Sequence, residues 1–279
     1  MRAKNYLAAV TLSLLVANLS DAHDIWLLPE RFVLSKGDTL VVHQLVGSEL
    51  EVEMEVELLW RMTPRFDLTT AQGSVDLLRE LPDKRTLPVV KPVLKRKLDF
   101  EGVALLTMEH AFIWEEWSRE QFLENLKHEE LGMDRFRDHV GDRPKQTERY
   151  ARTLKCLLQV GDGTDGDLHK RVVGQKLEIL LLQNPYLLKP GDDLEVQVLF
   201  DGKPLGGQRV TAFNGDGERR VSAPRVRTSA NGVARFNLNR EGFWLVRVVH
   251  FIPCAERSDI DCSEVDWESY WTSYTFHLD

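Results

Sequence analysis

The sequence predicts a mainly β protein of two β-sandwich-like domains, the C-terminal one Ig- or transthyretin-like, with a short helical insertion in the N-terminal domain. Three observations predict it. Apolar and acidic residues alternate in Val52-Glu53-Met54-Glu55-Val56-Glu57-Leu58, the two-residue period of a strand with one wet face. Turn-forming clusters such as Lys189-Pro190-Gly191-Asp192, Asp201-Gly202-Lys203-Pro204 and Ala230-Asn231-Gly232 punctuate short apolar runs in the second half. Helical spacing of apolar residues is clearest in one stretch, around 118–131.

Residues 1–22 are read apart from the fold. Arg2 and Lys4 give a positive start, 7–17 an apolar middle, and Ser20 and Ala22 the small residues a signal peptidase needs. The expectation is an export signal cleaved after Ala22, a periplasmic product and a mature chain that begins at His23. Roughly 257 residues then remain, enough for one large or two medium domains with ample core.

The N-terminal domain, 23–173, reads as strands at 25–28, 31–34, 39–45, 52–58, 65–68, 74–77, 97–100 and 103–109. The turn Ser35-Lys36-Gly37-Asp38 and the proline-bearing stretch 81–93 divide them. Ser118-Arg119-Glu120-Gln121 opens like a cap, and Phe122, Leu123, Leu126 and Glu129 recur at helical spacing as far as Leu131, with Gly132 as the expected end. A second helical turn is expected at 133–139, and 148–160 reads as a helical start passing into a strand. The polar run 161–167 is expected as a solvated loop, because no bidentate glutamate stands twelfth from Asp162 for calcium. The C-terminal domain, 174–279, reads as strands at 176–182, 193–200, 208–213, 221–228, 233–238, 242–251 and 270–278.

Net charge is −8 for the whole chain and about −9 without Arg2, Lys4 and Asp21, which argues against nucleic acid as a partner. After the signal no apolar run approaches the roughly 20 residues of a membrane span. Cys254 and Cys262 flank a short polar loop and are expected to bridge in an oxidising compartment. Cys156, inside the apolar segment 153–158, is expected to be an inert buried thiol.

Several ordered segments are similar to the family called domain of unknown function 4198. They are His23-Asp24-Ile25-Trp26-Leu27, 122–135, Glu148-Arg149-Tyr150-Ala151-Arg152, Asn184-Pro185-Tyr186 through Gly191, 201–205, Trp244 to His250, and Asp266-Trp267-Glu268-Ser269-Tyr270-Trp271-Thr272-Ser273. The resemblance implies an exported protein, with an association with nickel or cobalt uptake and no established catalytic role.

Candidate chemistry rests on histidine. A histidine at a chain start offers imidazole and α-amine together, two nitrogens able to chelate nickel, cobalt, copper or zinc. Cleavage before Asp21 would instead give Asp21-Ala22-His23, a square-planar copper or nickel site. His250 closes the apolar strand 243–249 and is the expected partner of His23, with Glu268 as a fourth or orienting group, so the expected metal set is His23, His250 and Glu268. Core histidines bonded to carbonyls are the ordinary alternative, and His43 and His277 compete for the same role. His110 is expected to be structural; His128, His139 and His169 lie in polar surroundings and are expected at the surface. Asp266 and Glu268 beside Trp267, Tyr270 and Trp271 resemble a glycosidase pair, but strand alternation sends Trp267 the other way. No nucleophile elbow, phosphate loop or dinucleotide fingerprint is present.

The function expected from the sequence is a periplasmic transition-metal-binding accessory to uptake or delivery, serving a membrane transporter or envelope protein. A copper-dependent oxidase or monooxygenase with an N-terminal histidine chelate, and an envelope protein-binding module without metal, are the two alternatives.

Overall fold

The two longest strands lie between other layers, so that most of their side chains are buried whichever face they leave. The computed structural model describes residues 23–80, 89–164, 166–215, 220–222, 225–259 and 261–279. The expected signal and its cleavage site lie outside them. Lys145–Val160 (16 residues) and Trp267–Leu278 (12 residues) run parallel at the centre, in register from Glu148 opposite Trp267 to Cys156 opposite Thr275. Gly242–Pro253 flanks the second of these and Gly102–Glu109 the first, both antiparallel. The resulting eleven-stranded sheet carries strands from both sides of residue 174.

This sheet is buried on both faces, which makes the protein mainly β with stacked sheets. One face sends Val103, Leu105, Leu157, Val246, Val248 and Tyr274 against a four-stranded sheet that includes Leu177–Leu181 and Asp193–Phe200. The other sends Ala104, Leu106, Leu154, Cys156 and Leu158 against Leu27, Leu40, Val42 and Leu94 of the first four-stranded sheet. That sheet orders Asp24–Pro29, Thr39–Ser48 and Glu51–Val56, with Leu94–Lys97 on the middle strand. Double burial suits continuous apolar runs rather than alternation. Residues 148–160 are therefore strand throughout, not a helical start.

A buried ion pair crosses between layers. Lys155 Nζ donates to Glu178 Oε1 at 2.7 Å and to the Ile179 carbonyl at 3.0 Å. Val173 and Gly174 N–H groups donate to the same carboxylate, which compensates its burial.

The helical insertion is as the sequence predicts. Ser118 caps Arg119–His128: its Oγ accepts from Gln121 N, and the Gln121 side chain accepts from Ser118 N, both at 3.1 Å. Met133–Val140 follows, and Phe122, Leu126, Phe136 and Val140 cover Val249, Phe251, Trp267 and Trp271. No helix among the described residues is long and apolar enough to cross a membrane. Cys254 and Cys262 are bridged, and Cys156 is a buried free thiol whose pKa burial pushes up to about 12.

Candidate functional site around His23

The start of the described chain is held by a hairpin whose irregularity is written in the sequence. Thr39–Ser48 pairs with Glu51–Val56 so that Val46 faces Met54 and Gly47 faces Val52, which leaves Glu53 as the extra residue of a β-bulge. Gly47 is obligatory there, since a Cβ on it would lie 1.7 Å from the Glu51 carbonyl oxygen. The connecting residues Glu49 and Leu50 both have positive φ, 51° and 67°, as in a type I′ hairpin turn. Leu50 is anchored by packing beside Trp26, Phe213 and Leu245. The bulge brings Glu53 to the chain start: His23 Nε2 lies 2.5 Å from Glu53 Oε2, with His23 buried and Glu53 partly exposed.

The next residue is locked more deeply. Asp24 Oδ1 pairs with Arg247 Nε at 2.5 Å, and Arg247 Nη2 donates to Glu129 Oε1 at 2.8 Å, all three side chains being buried. Burial pushes the Asp24 carboxyl up to about 7, against the pull of Arg247. Arg152 donates to the His23 carbonyl at 3.4 Å and lies over the Trp271 ring.

The structure does not bring His23, His250 and Glu268 together. Arg247 and His250 are three residues apart on one strand, so their side chains leave opposite faces of the large sheet. The chain start lies over the Arg247 face. His250 instead contacts Phe200, at 4.8 Å between ring centroids, and Gln208 Oε1, at 3.0 Å from its Nδ1. Burial, reinforced by Arg135, pushes its pKa down to about 4.

Glu268 faces the same side as His250, but its oxygens are taken. Arg149 donates to Oε1 from Nε and Nη2 at 3.0 and 2.6 Å, and Arg257 Nη1 donates to Oε2 at 2.6 Å. A carboxylate between two guanidiniums is a structural clamp, here fastening the disulfide loop to the sheet. Among the described residues no three His, Cys, Asp or Glu side chains converge as a metal-ligand group.

The remaining candidates fall into ordinary roles. His43 Nδ1 is 2.7 Å from Glu55 Oε1, with Lys91 on the same carboxylate; His277 Nδ1 is 3.0 Å from Asp279 Oδ1. His110 accepts from Gln44 Nε2 at 3.1 Å in a structural contact, and burial pushes its pKa down to about 3. His128 is exposed and His139 partly so, but His169 is buried, contrary to the surface position expected. Trp267 is fully buried, and Asp266 pairs with Arg143 and accepts from Thr147 N at 2.8 Å, so no stacking platform stands beside paired carboxylates. Glu53, Glu129 and Arg247 were not identified from sequence. The acidic alternation of 52–58 marked Glu53 as solvent-facing, but pairing and bulge position decide what it meets.

No curated protein matches the chain. Among solved structures, the D0-D1 domain of Intimin matches at 11% identity with TM-score 0.21, covering 91% of this chain and 99% of that one. A tetra-tandem repeat in the extending region of a large adhesion protein matches at 12% identity and TM-score 0.23, covering 92% and 50%. Trypsin-activated alpha-2-macroglobulin from Escherichia coli matches at 9% identity and TM-score 0.20, covering 90% and 15%. Likenesses at these TM-scores carry no functional inference. The family model described as Domain of unknown function (DUF4198) matches residues 20–251, most of the sequence, and the chain belongs to that family.

Proposed function

We propose that the chain is exported, cleaved after Ala22, and binds one transition-metal ion at its new N-terminus for presentation to an uptake or delivery partner in the periplasm. The observation that carries this reading is the 2.5 Å contact between His23 Nε2 and Glu53 Oε2. A carboxylate on one ring nitrogen of histidine orients the ring and directs the other nitrogen to the metal. In His23 that other nitrogen is Nδ1, which joins the α-amine of the processed chain in a two-nitrogen chelate for nickel, cobalt, copper or zinc. Such a chelate fits the residues present, because its second donor is the terminal amine and not a further side chain. His250 and Glu268 take no part in it. The metal is cargo, and the coordination positions beyond the chelate are open to water or to a donor from the partner.

The strand that bears Glu53 is the outer strand of its sheet, and its Val52 and Met54 side chains are half exposed. This edge is where the partner would meet the loaded site.

Comparison of the chain beginning at His23 with one that carries an extra glycine before it tests the reading. The extended chain should lose most of its nickel or copper affinity. Undiminished affinity would remove the N-terminus from the site. Turnover of peroxide or polysaccharide by the copper-loaded protein, beyond that of free copper, would favour the oxidase alternative instead.

A further inference from the structure

His250, released from the metal set, lines a polar cavity of its own. The cavity has a volume of about 80 Å³ and lies where the second helix meets the loop before Arg209–Gly215. Arg135, Arg227, Gln208, Gly206 and Gly207 contribute its polar wall, with Phe136 and Phe251 among its apolar residues. Gly206 holds the loop close, since a Cβ there would lie 3.1 Å from Ala230 Cα.

The protonation of His250 follows from its neighbours. Gln208 Nε2 donates to the Val249 carbonyl at 2.6 Å, which fixes the amide and makes Oε1 the atom that faces His250 Nδ1 at 3.0 Å. Nδ1 therefore carries the ring proton, and Nε2 is left as a lone-pair acceptor. The low pKa of the ring, caused by burial and by Arg135, keeps it neutral at physiological pH. Arg227 spends one N–H on the Gly207 carbonyl at 3.0 Å and another on the Glu130 carbonyl at 2.8 Å, which leaves three. Arg135 Nη2 reaches Glu256 Oε2 at 3.2 Å and keeps its other donors.

Two guanidiniums call for an anion and disfavour a metal cation. An acceptor nitrogen lining the same cavity calls for a ligand that also bears a proton. We infer that the cavity beside His250 binds a small protonated oxyanion of the hydrogen phosphate class, its charge met by Arg135 and Arg227 and its hydroxyl donating to His250 Nε2. The volume of about 80 Å³ is several times the roughly 10–15 Å³ that one water needs on the same measure, so it admits an ion of several heavy atoms.

Ring-nitrogen NMR shifts of His250 in the full mature chain test this, with sodium phosphate and sodium sulfate as probes at neutral to slightly alkaline pH and matched ionic strength. Sulfate matches phosphate in shape but has no proton to donate. Hydrogen phosphate should move the Nε2 signal saturably, and sulfate should bind about tenfold more weakly. Arg135→Gln should weaken phosphate binding by about tenfold without loss of fold, because that side chain is half exposed. His23→Ala should leave phosphate binding unchanged, which separates this site from the N-terminal one. Equal response to the two anions, or no response at Nε2, overturns the inference. If Arg135→Gln fails to fold, the phosphate and sulfate comparison on the unaltered chain decides alone.

Discussion

Asp24 and Arg247 are joined at 2.5 Å inside the protein, and the same guanidinium donates to Glu129 at 2.8 Å. The first strand of the described chain and the end of the helical insertion are thus tied to one residue of the large sheet. Arg247→Met should destabilise the protein by about 3 to 5 kcal/mol, because it strands two buried carboxylates. Urea unfolding measures this, and a loss under about 1 kcal/mol would show that the cluster does not hold the chain start.

Gly47→Ala should cost about 2 kcal/mol or more and should also weaken nickel binding. The added Cβ meets the Glu51 carbonyl at 1.7 Å, so the bulge that aims Glu53 at His23 must shift. Thermal unfolding and metal titration on the same preparation check both effects. Unchanged affinity in a destabilised variant would separate the bulge from the metal site.

Glu148 is buried, and burial pushes its pKa up from 4.5 to about 7 while Ser269 and Trp117 donate to it. The folded state therefore holds this proton more tightly than the unfolded state. Its contribution to stability falls as pH rises from about 4.5 to 7 and is level above that. Glu148→Gln should flatten the fall and raise stability above pH 7 by up to roughly 3 kcal/mol. Asp24, whose pKa is also raised to about 7, has the same sign, so part of the slope remains. Melting temperatures across this pH range would contradict the account if the variant kept the full slope.

Reduction of Cys254–Cys262 should destabilise the protein by roughly 2 to 3 kcal/mol, the loop-closure value for a separation of 8 residues. The loop it closes carries Arg257, which donates to Glu268 at 2.6 Å. Amide exchange after reduction should therefore accelerate first around 254–262. Uniform acceleration over the whole chain would mean that the bridge supports the fold globally.

Local signals were legible where the chain faces water on one side. The helix opened by Ser118, the strand at 39–45 and the Cys254–Cys262 bridge follow from residue pattern alone, whereas 52–58 is one strand only as far as Val56, with Val52 and Met54 exposed, and Leu58 joins a different sheet. Residues 148–160 carry no strand signature because Leu154, Cys156 and Leu158 face one layer while Leu157 faces another, which erases the two-residue period. The pairing of 267–278 with both 242–253 and 145–160 is a long-range choice that no local pattern encodes. The same limit governed the site. His23 and His250 are each marked by sequence, but only the sheet between them shows that they cannot meet. His169 was expected in water because its sequence neighbours are polar, yet the strands around it bury it.

Calorimetric titration of the chain beginning at His23 with nickel, cobalt, copper and zinc, beside His23→Ala, His250→Ala and Glu53→Gln, tests the central claim most directly. The account predicts tight one-to-one binding that His23→Ala abolishes, that Glu53→Gln weakens by about tenfold to a hundredfold, and that His250→Ala leaves intact. Absence of binding to all four metals, or binding that survives His23→Ala, would contradict it.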